Sequence, residues 1–246
     1  MTLPVHLVPS LADVAPGGVV EVTGEEAHHA VAVRRVRVGE ELVLTDGRGT
    51  TARGAVLETG KRRLSLRVDA VDLAAAPAPS LVVVQALAKG DRGERAVELL
   101  TEIGASVVVP WAAERSVAVW RGERAEKSHA KWVATAREAA KQARRSHLPE
   151  ITPLASTQDV LARVREADLA VVLHEEASGQ LGTLAIPERG TIVVVVGPEG
   201  GLAPEEVAAL ADAGGVPVRL GPEVLRTSTA GLAAAAALLS RTPRWS

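Results

Sequence analysis

From residue 81 onward the chain repeats one pattern: a short, near-continuous block of Val, Leu and Ile, then a mixed stretch with helical spacing. The blocks fall at 81–87, 107–109, 169–173, 192–196 and 216–220. A strand that is apolar on both sides cannot lie on a half-solvated sheet. It needs cover on both faces, which is the condition of a parallel sheet wrapped by helices. The segments 91–103, 127–146, 157–166, 204–213 and 224–239 read as those helices. Strand and helix alternating in this way predict a doubly wound α/β domain.

The first 73 residues follow a different rule. Apolar segments at 5–8, 19–22, 41–45, 51–57 and 64–71 are separated by turn signals, and Arg63-Leu64-Ser65-Leu66-Arg67-Val68 alternates with period two. Asp46-Gly47 with Gly49 supplies a hairpin turn, and 25–36 is helix-compatible. These features predict a small β-barrel with one helical insert. Between the two patterns lies Leu-Ala-Ala-Ala-Pro-Ala-Pro-Ser, uncharged and without periodicity, which reads as a semi-rigid linker. The expected organisation is a barrel over 1–73, a linker over 74–80 and an α/β domain over 81–246.

Composition narrows the function. Cys, Phe and Tyr are absent and the aromatics are four Trp. Without Cys there is no disulfide framework, thiolate nucleophile or Cys-ligated zinc, and six scattered His offer no metal-ligand spacing. Without Phe and Tyr, RNA recognition through a sheet of stacking aromatics is excluded. No apolar run approaches the roughly 20 residues that span a bilayer. Nor does a basic segment followed by an apolar one open the chain, so a soluble cytoplasmic protein is expected. The net charge is −2, but residues 121–145 hold 8 Lys/Arg against 3 acids. Lys127, Lys131, Lys141 and Arg145 fall along one helical stripe. Such an island reads either as a solvated face or as an RNA-backbone contact.

Ligands of open parallel sheets bind beyond the carboxyl ends of the strands, and three of those ends carry unusual sequence. One is Leu173-His174-Glu175-Glu176. The second is Gly197-Pro198-Glu199-Gly200-Gly201, directly after the 192–196 strand. The third is Leu220-Gly221-Pro222-Glu223-Val224-Leu225-Arg226-Thr227-Ser228-Thr229-Ala230-Gly231. Neither the dinucleotide-binding nor the P-loop fingerprint is met. Glu199 would also set a negative charge where a phosphate needs donors. A Gly-rich loop with Glu199 and Glu175 nearby better suits a ligand carrying a positive centre.

Taken together and in order, these motifs resemble the RsmE-like family of SPOUT methyltransferases. The resemblance covers nearly the whole chain. It rests on Val-Gly197-Pro-Glu-Gly-Gly201, on Leu-Gly221-Pro-Glu-Val-Leu-Arg226-Thr-Ser-Thr-Ala230, and on Thr101-Glu-Ile-Gly104 followed by Pro110 and Arg115-Ser116. Glu138-Ala-Ala-Lys-Gln142 with Arg145 and Pro149 adds a fourth segment. A fifth, resembling the family's PUA-like RNA-binding domain, is His29 with Val33-Arg-Arg-Val-Arg-Val-Gly39 and Asp46-Gly-Arg-Gly49.

The resemblance implies a C-terminal SPOUT α/β domain with a trefoil knot, a topology otherwise nearly absent from proteins, and an N-terminal PUA-like barrel. It further implies a homodimer that uses S-adenosyl-L-methionine to methylate N3 of a uridine in 16S ribosomal RNA of the small subunit. The cofactor cradle would then be Leu173, His174, Glu175, Val196, Gly197, Pro198, Glu199, Gly200, Gly201, Leu220, Gly221, Leu225, Arg226 and Thr227. Arg226 is the candidate for stabilising the uridine anion, and Glu199, Glu175 or a water for removing its proton. RNA contacts would fall to Arg34, Arg35, Arg37 and Arg48 and to the Lys127, Lys131, Lys141, Arg145 stripe. Two departures stand out: Ser228 replaces a Glu frequent in relatives, and the first strand lacks their Arg. Two other functions compete: a non-catalytic RNA-binding assembly factor of the same fold, and a nucleotide-binding α/β enzyme.

Overall fold

The structure, a computed structural model, describes residues 3–245 in two compact units. The first comprises residues up to Ala76 together with Ala140–Leu148, and the second Pro77–Ala139 with Pro149 onward.

The first unit is a five-stranded sheet in the order β1-β3-β4-β5-β2, formed by Val5–Leu7, Glu41–Thr45, Thr50–Gly60, Arg63–Leu73 and Val19–Thr23. All pairings are antiparallel except β1 with β3. Register shifts at Arg53/Gly54 and Val56/Glu58 bend β4, as bulges do. The period-two pattern fills one face with Val22, Leu42, Leu44, Ala52, Val56, Leu64, Leu66 and Val68. The expected helix at 25–36 is shorter than its spacing suggests. It is an α-turn, α1 (Gly24–His28), that widens into a π-turn over His29–Val33. The Asp46–Gly49 turn is pinned by the chain after Gln142: Gly49 N–H donates to Ser146 and Leu148 N–H to Gly47. Gly49 sits at φ +111°, where a Cβ would come within 2.8 Å of the His147 ring, so only glycine fits.

The second unit is an all-parallel six-stranded sheet in the order β11-β9-β10-β6-β7-β8. The strands are β6 (Ser80–Ala86), β7 (Val107–Trp111), β8 (Glu150–Ile151), β9 (Leu169–Leu173), β10 (Thr191–Val196) and β11 (Val216–Val218). The short β8 has too few apolar residues to show in the sequence pattern. Side chains alternate across each strand into two cores. One holds Leu81, Val83, Ile192 and Val194 with Leu100 of α2 (Arg92–Ile103), Trp132 of α3 (Glu123–Gln142) and Leu238 of α6 (Thr227–Leu239). The other holds Val82, Val84, Val193 and Val195 with Val160 of α4 (Thr157–Glu166) and Leu210 of α5 (Pro204–Asp212). Helix cover on both faces is what the continuous Val runs demanded. Helix α6 starts three residues later than its apolar pattern suggests, leaving Val224, Leu225 and Arg226 in the preceding loop. Among the described residues, no helix is long and apolar enough to cross a membrane.

Candidate active site

Because the six strands run parallel, their carboxyl ends share one side of the sheet, and the loops leaving β6, β9, β10 and β11 gather there. They enclose a cleft of about 780 Å³. Leu173, His174 and Glu175 line it from β9. Val196, Gly197, Pro198, Glu199, Gly200 and Gly201 line it from β10, and Leu220, Gly221, Leu225, Arg226 and Thr227 from the segment between β11 and α6. Residues spread over 55 positions of sequence thus meet in one hollow.

Three hydrogen-bonded ties hold the loops. His174 N–H donates to the Val218 carbonyl (3.0 Å), joining the β9 loop to β11, and its Nδ1 accepts from Glu176 N–H (3.3 Å). The Thr227 hydroxyl donates to the Gly197 carbonyl (2.8 Å) and accepts from Gln85 Nε2 (3.0 Å). Thr227 therefore links the start of α6 to the β10 loop and to fully buried Gln85 on β6. In the third tie Glu199 Oε1 accepts from Lys89 N–H and from Arg92 Nη1, both at 3.0 Å. Burial alone would raise the Glu199 carboxyl. Its own N–H, that of Lys89 and the Arg92 guanidinium outweigh burial and hold it below the usual carboxylate range.

Replacing Thr227 by Val would leave the buried Gln85 amide and the Gly197 carbonyl without this partner. A loss of about 1–3 kcal/mol is expected. Urea unfolding checks it, and an unchanged midpoint would show that the tie carries no weight.

Buried Glu206 closes the start of α5 from the other end: it accepts from Ala203 N–H (3.1 Å) and from Glu114 N–H (2.9 Å). That second bond fixes the backbone next to Arg115, whose Nη1 lies 3.4 Å from the Gly200 carbonyl. Arg92 and Arg115 both line the cleft, and neither was singled out as a site residue from sequence. The available signal was Lys89-Gly90-Asp91-Arg92, directly beyond the 81–87 strand. Ser228 is buried in the first turn of α6.

The predicted RNA-facing residues fare unequally. Arg34, Arg35, Arg37 and Arg48 are exposed on the first unit. Of the helical stripe, Lys127 is exposed and 3.9 Å from Glu123. Lys131 is held 2.8 Å from Glu94, whose hydrogen bond and charge raise its pKa. Arg145 is half-buried. Lys141 departs from the expectation outright. It is buried, with Nζ 2.9 Å from Glu26 Oε1, because the end of α3 packs into the first unit rather than facing solvent.

A sequence profile of the RNA methyltransferase domain matches residues 76–239, and one of the RNA methyltransferase PUA domain matches residues 22–69. The chain is 47% identical over 233 residues to ribosomal RNA small subunit methyltransferase E of Mycobacterium bovis, covering 93% of this chain and 89% of that one. It is 34% identical over 229 residues to the protein of the same name from Bacillus subtilis, covering 90% of each. The chain belongs to the ribosomal RNA small subunit methyltransferase E family. The fold agrees: a methyltransferase E from Neisseria gonorrhoeae, crystallised with S-adenosyl methionine, superposes with a TM-score of 0.88 at 27% identity, over 97% of this chain and 98% of that one. For a member of the methyltransferase E family, the cleft at the strand ends is the candidate active site.

Proposed function

We propose that this protein transfers a methyl group from S-adenosyl-L-methionine to N3 of a uridine in the 16S RNA of the small ribosomal subunit. The observation that carries the proposal is the meeting of the Gly197–Gly201 loop, the end of β9 and the Leu220–Thr227 segment around one cleft.

The residues present fit the cofactor. Leu173, Val196, Leu220 and Leu225 give apolar surface for a flat base, and Gly197, Gly200 and Gly201 let backbone groups approach closely. Glu175 and Glu223 also line the cleft and set negative charge on it, suiting a ligand with a cationic centre. When bound, S-adenosyl-L-methionine supplies an electrophilic methyl group on its sulfonium. The chain's own task is to align N3 and to stabilise the uracil as its N3 proton departs. Alignment contributes several kcal/mol. Arg226, exposed on the lip of the cleft at the N-cap of α6, is assigned to stabilise the developing anion. Glu199 is already engaged by the Lys89 N–H and the Arg92 guanidinium, which gives it a positioning role here. Proton removal is assigned to Glu175 or to water.

The exposed Arg34, Arg35, Arg37 and Arg48 are assigned to the RNA backbone, with Lys127 as the accessible remnant of the helical stripe. A trefoil knot, a homodimer and a cytoplasmic location complete the proposal, supported by family membership. The deciding experiment is methyl transfer onto small subunits, or 16S RNA, from a strain lacking the modification, followed by nucleoside mass spectrometry. N3-methyluridine is expected. Any other methylated nucleoside overturns the specificity, and no methyl transfer favours a non-catalytic RNA-binding factor. Thermal stabilisation by S-adenosyl-L-methionine but not by ATP or NAD is the companion result.

A further inference from the structure

Arg92 occupies an electrostatically awkward position. It is the first residue of α2, where the aligned peptide dipoles favour an acid and disfavour a cation. Stability alone would place Asp or Glu there. Instead the guanidinium is kept at the cleft by Glu199, which also takes the Lys89 N–H. Arg92 remains 41% exposed at its side chain. Across the Gly200 loop, Arg115 is set in place through the Glu114–Glu206 bond, with Nη1 reaching the Gly200 carbonyl. Glu199 thus holds Arg92 directly, and buried Glu206 fixes the backbone beside Arg115 at the same opening. A guanidinium carries five N–H donors in a fixed fork, so a contact through one nitrogen leaves donors for a second ligand.

We infer that Arg92 and Arg115 form an oxyanion clamp at the cleft mouth that grips an RNA phosphate next to the target uridine, with Glu199 as the positioning residue for Arg92. The inference rests on the RNA-methyltransferase proposal and adds to it which residues hold the substrate at the opening. Phosphate is favoured over other anions by chemistry. The guanidinium fork matches two phosphate oxygens, and a nucleotide entering the cleft brings phosphates on both sides of its base to the rim. The other oxyanion within reach is the carboxylate of the cofactor, and binding measurements separate the two.

The test uses the full chain. Binding of unmodified 16S RNA is measured without cofactor across a salt series, and binding of S-adenosyl-L-methionine without RNA, for wild type, Arg92→Ala, Arg115→Ala, Arg92→Lys and Glu199→Gln. Each alanine variant should weaken RNA binding about tenfold and reduce the slope of log K against log salt by about 0.7–1, the signature of one lost phosphate contact. Affinity for the cofactor should stay within about threefold. Arg92→Lys keeps the charge and should keep the slope while losing part of the affinity. Glu199→Gln should weaken RNA binding, and adding it to Arg92→Ala should cost nothing further, since both remove the same contact. Unchanged RNA affinity and salt slope in the alanine variants would overturn the clamp. So would loss of cofactor binding with RNA binding intact, which would give the arginines to the cofactor carboxylate. Additive losses in the double variant would overturn the positioning role of Glu199. If wild type itself binds neither RNA nor cofactor, the methyltransferase proposal fails instead.

Discussion

Arg226→Ala is expected to lower the rate of methyl transfer by about 10²–10³-fold, the usual consequence of removing one preorganised donor from a developing anion. Arg226 reaches the site as the N-cap of α6, with extended backbone (φ −66°, ψ 148°) that aims the chain across the rim rather than into the helix. Its neighbour Thr227 is tied to Gly197 and Gln85, so the backbone at 226 is held even when the side chain is removed. The loss should therefore fall on kcat, with affinity for S-adenosyl-L-methionine reduced only modestly. Single-turnover methylation with saturating RNA, beside calorimetric titration of the cofactor, separates the two. Retained turnover would remove Arg226 from the chemistry. A cofactor affinity lost in proportion to the rate would reassign it to the cradle.

The second large effect concerns stability. Lys141 and Glu26 lie 115 positions apart in sequence and are both buried, their side chains 6% and 10% exposed. His6 Nδ1 stands 3.5 Å from the other Glu26 oxygen, and the His6 ring meets His29 edge-on at 6.1 Å. Removing the cation of this buried pair leaves the Glu26 carboxylate without its nearest counter-charge in a medium that solvates it poorly, at a cost of about 3–5 kcal/mol. Lys141→Met should accordingly lower the thermal midpoint of the first unit by on the order of 10 °C or more. Lys141→Met combined with Glu26→Leu should recover most of that loss, because both charges of the pair are then removed together. If instead Lys141→Met keeps its midpoint and loses RNA affinity, the residue belongs to an RNA contact after all.

These two residues mark how far the sequence could be followed. Arg226 was legible: it lies in a segment whose Gly, Pro and Thr spacing is unusual, just past a strand end where parallel sheets bind their ligands. Lys141 was not. Its helical spacing with Lys127 and Lys131 describes one stripe of an isolated helix, and nothing local reveals that Glu94 and Glu26 come to meet it. Arg92 and Gln85 were passed over for a related reason. Gln85 lies within β6 and Arg92 opens α2 beyond it, and they join the candidate site only because β6 pairs with β10.

What the sequence by itself determined is the class of structure and the strand ends at which the candidate site forms. Period-two alternation before residue 73 and continuous apolar strands after residue 80 specify one half-buried sheet and one fully covered parallel sheet, because side-chain periodicity is a local property of the backbone. The Gly-rich strand ends then say where a ligand can come close. Tertiary structure alone decided which charges are available. Whether an Arg or Lys faces substrate or is consumed in an ion pair depends on partners brought together by strand order and helix packing, and Coulomb interactions act through space rather than along the chain. Lys141 ended in a buried pair and Arg92 at the cleft mouth for that reason.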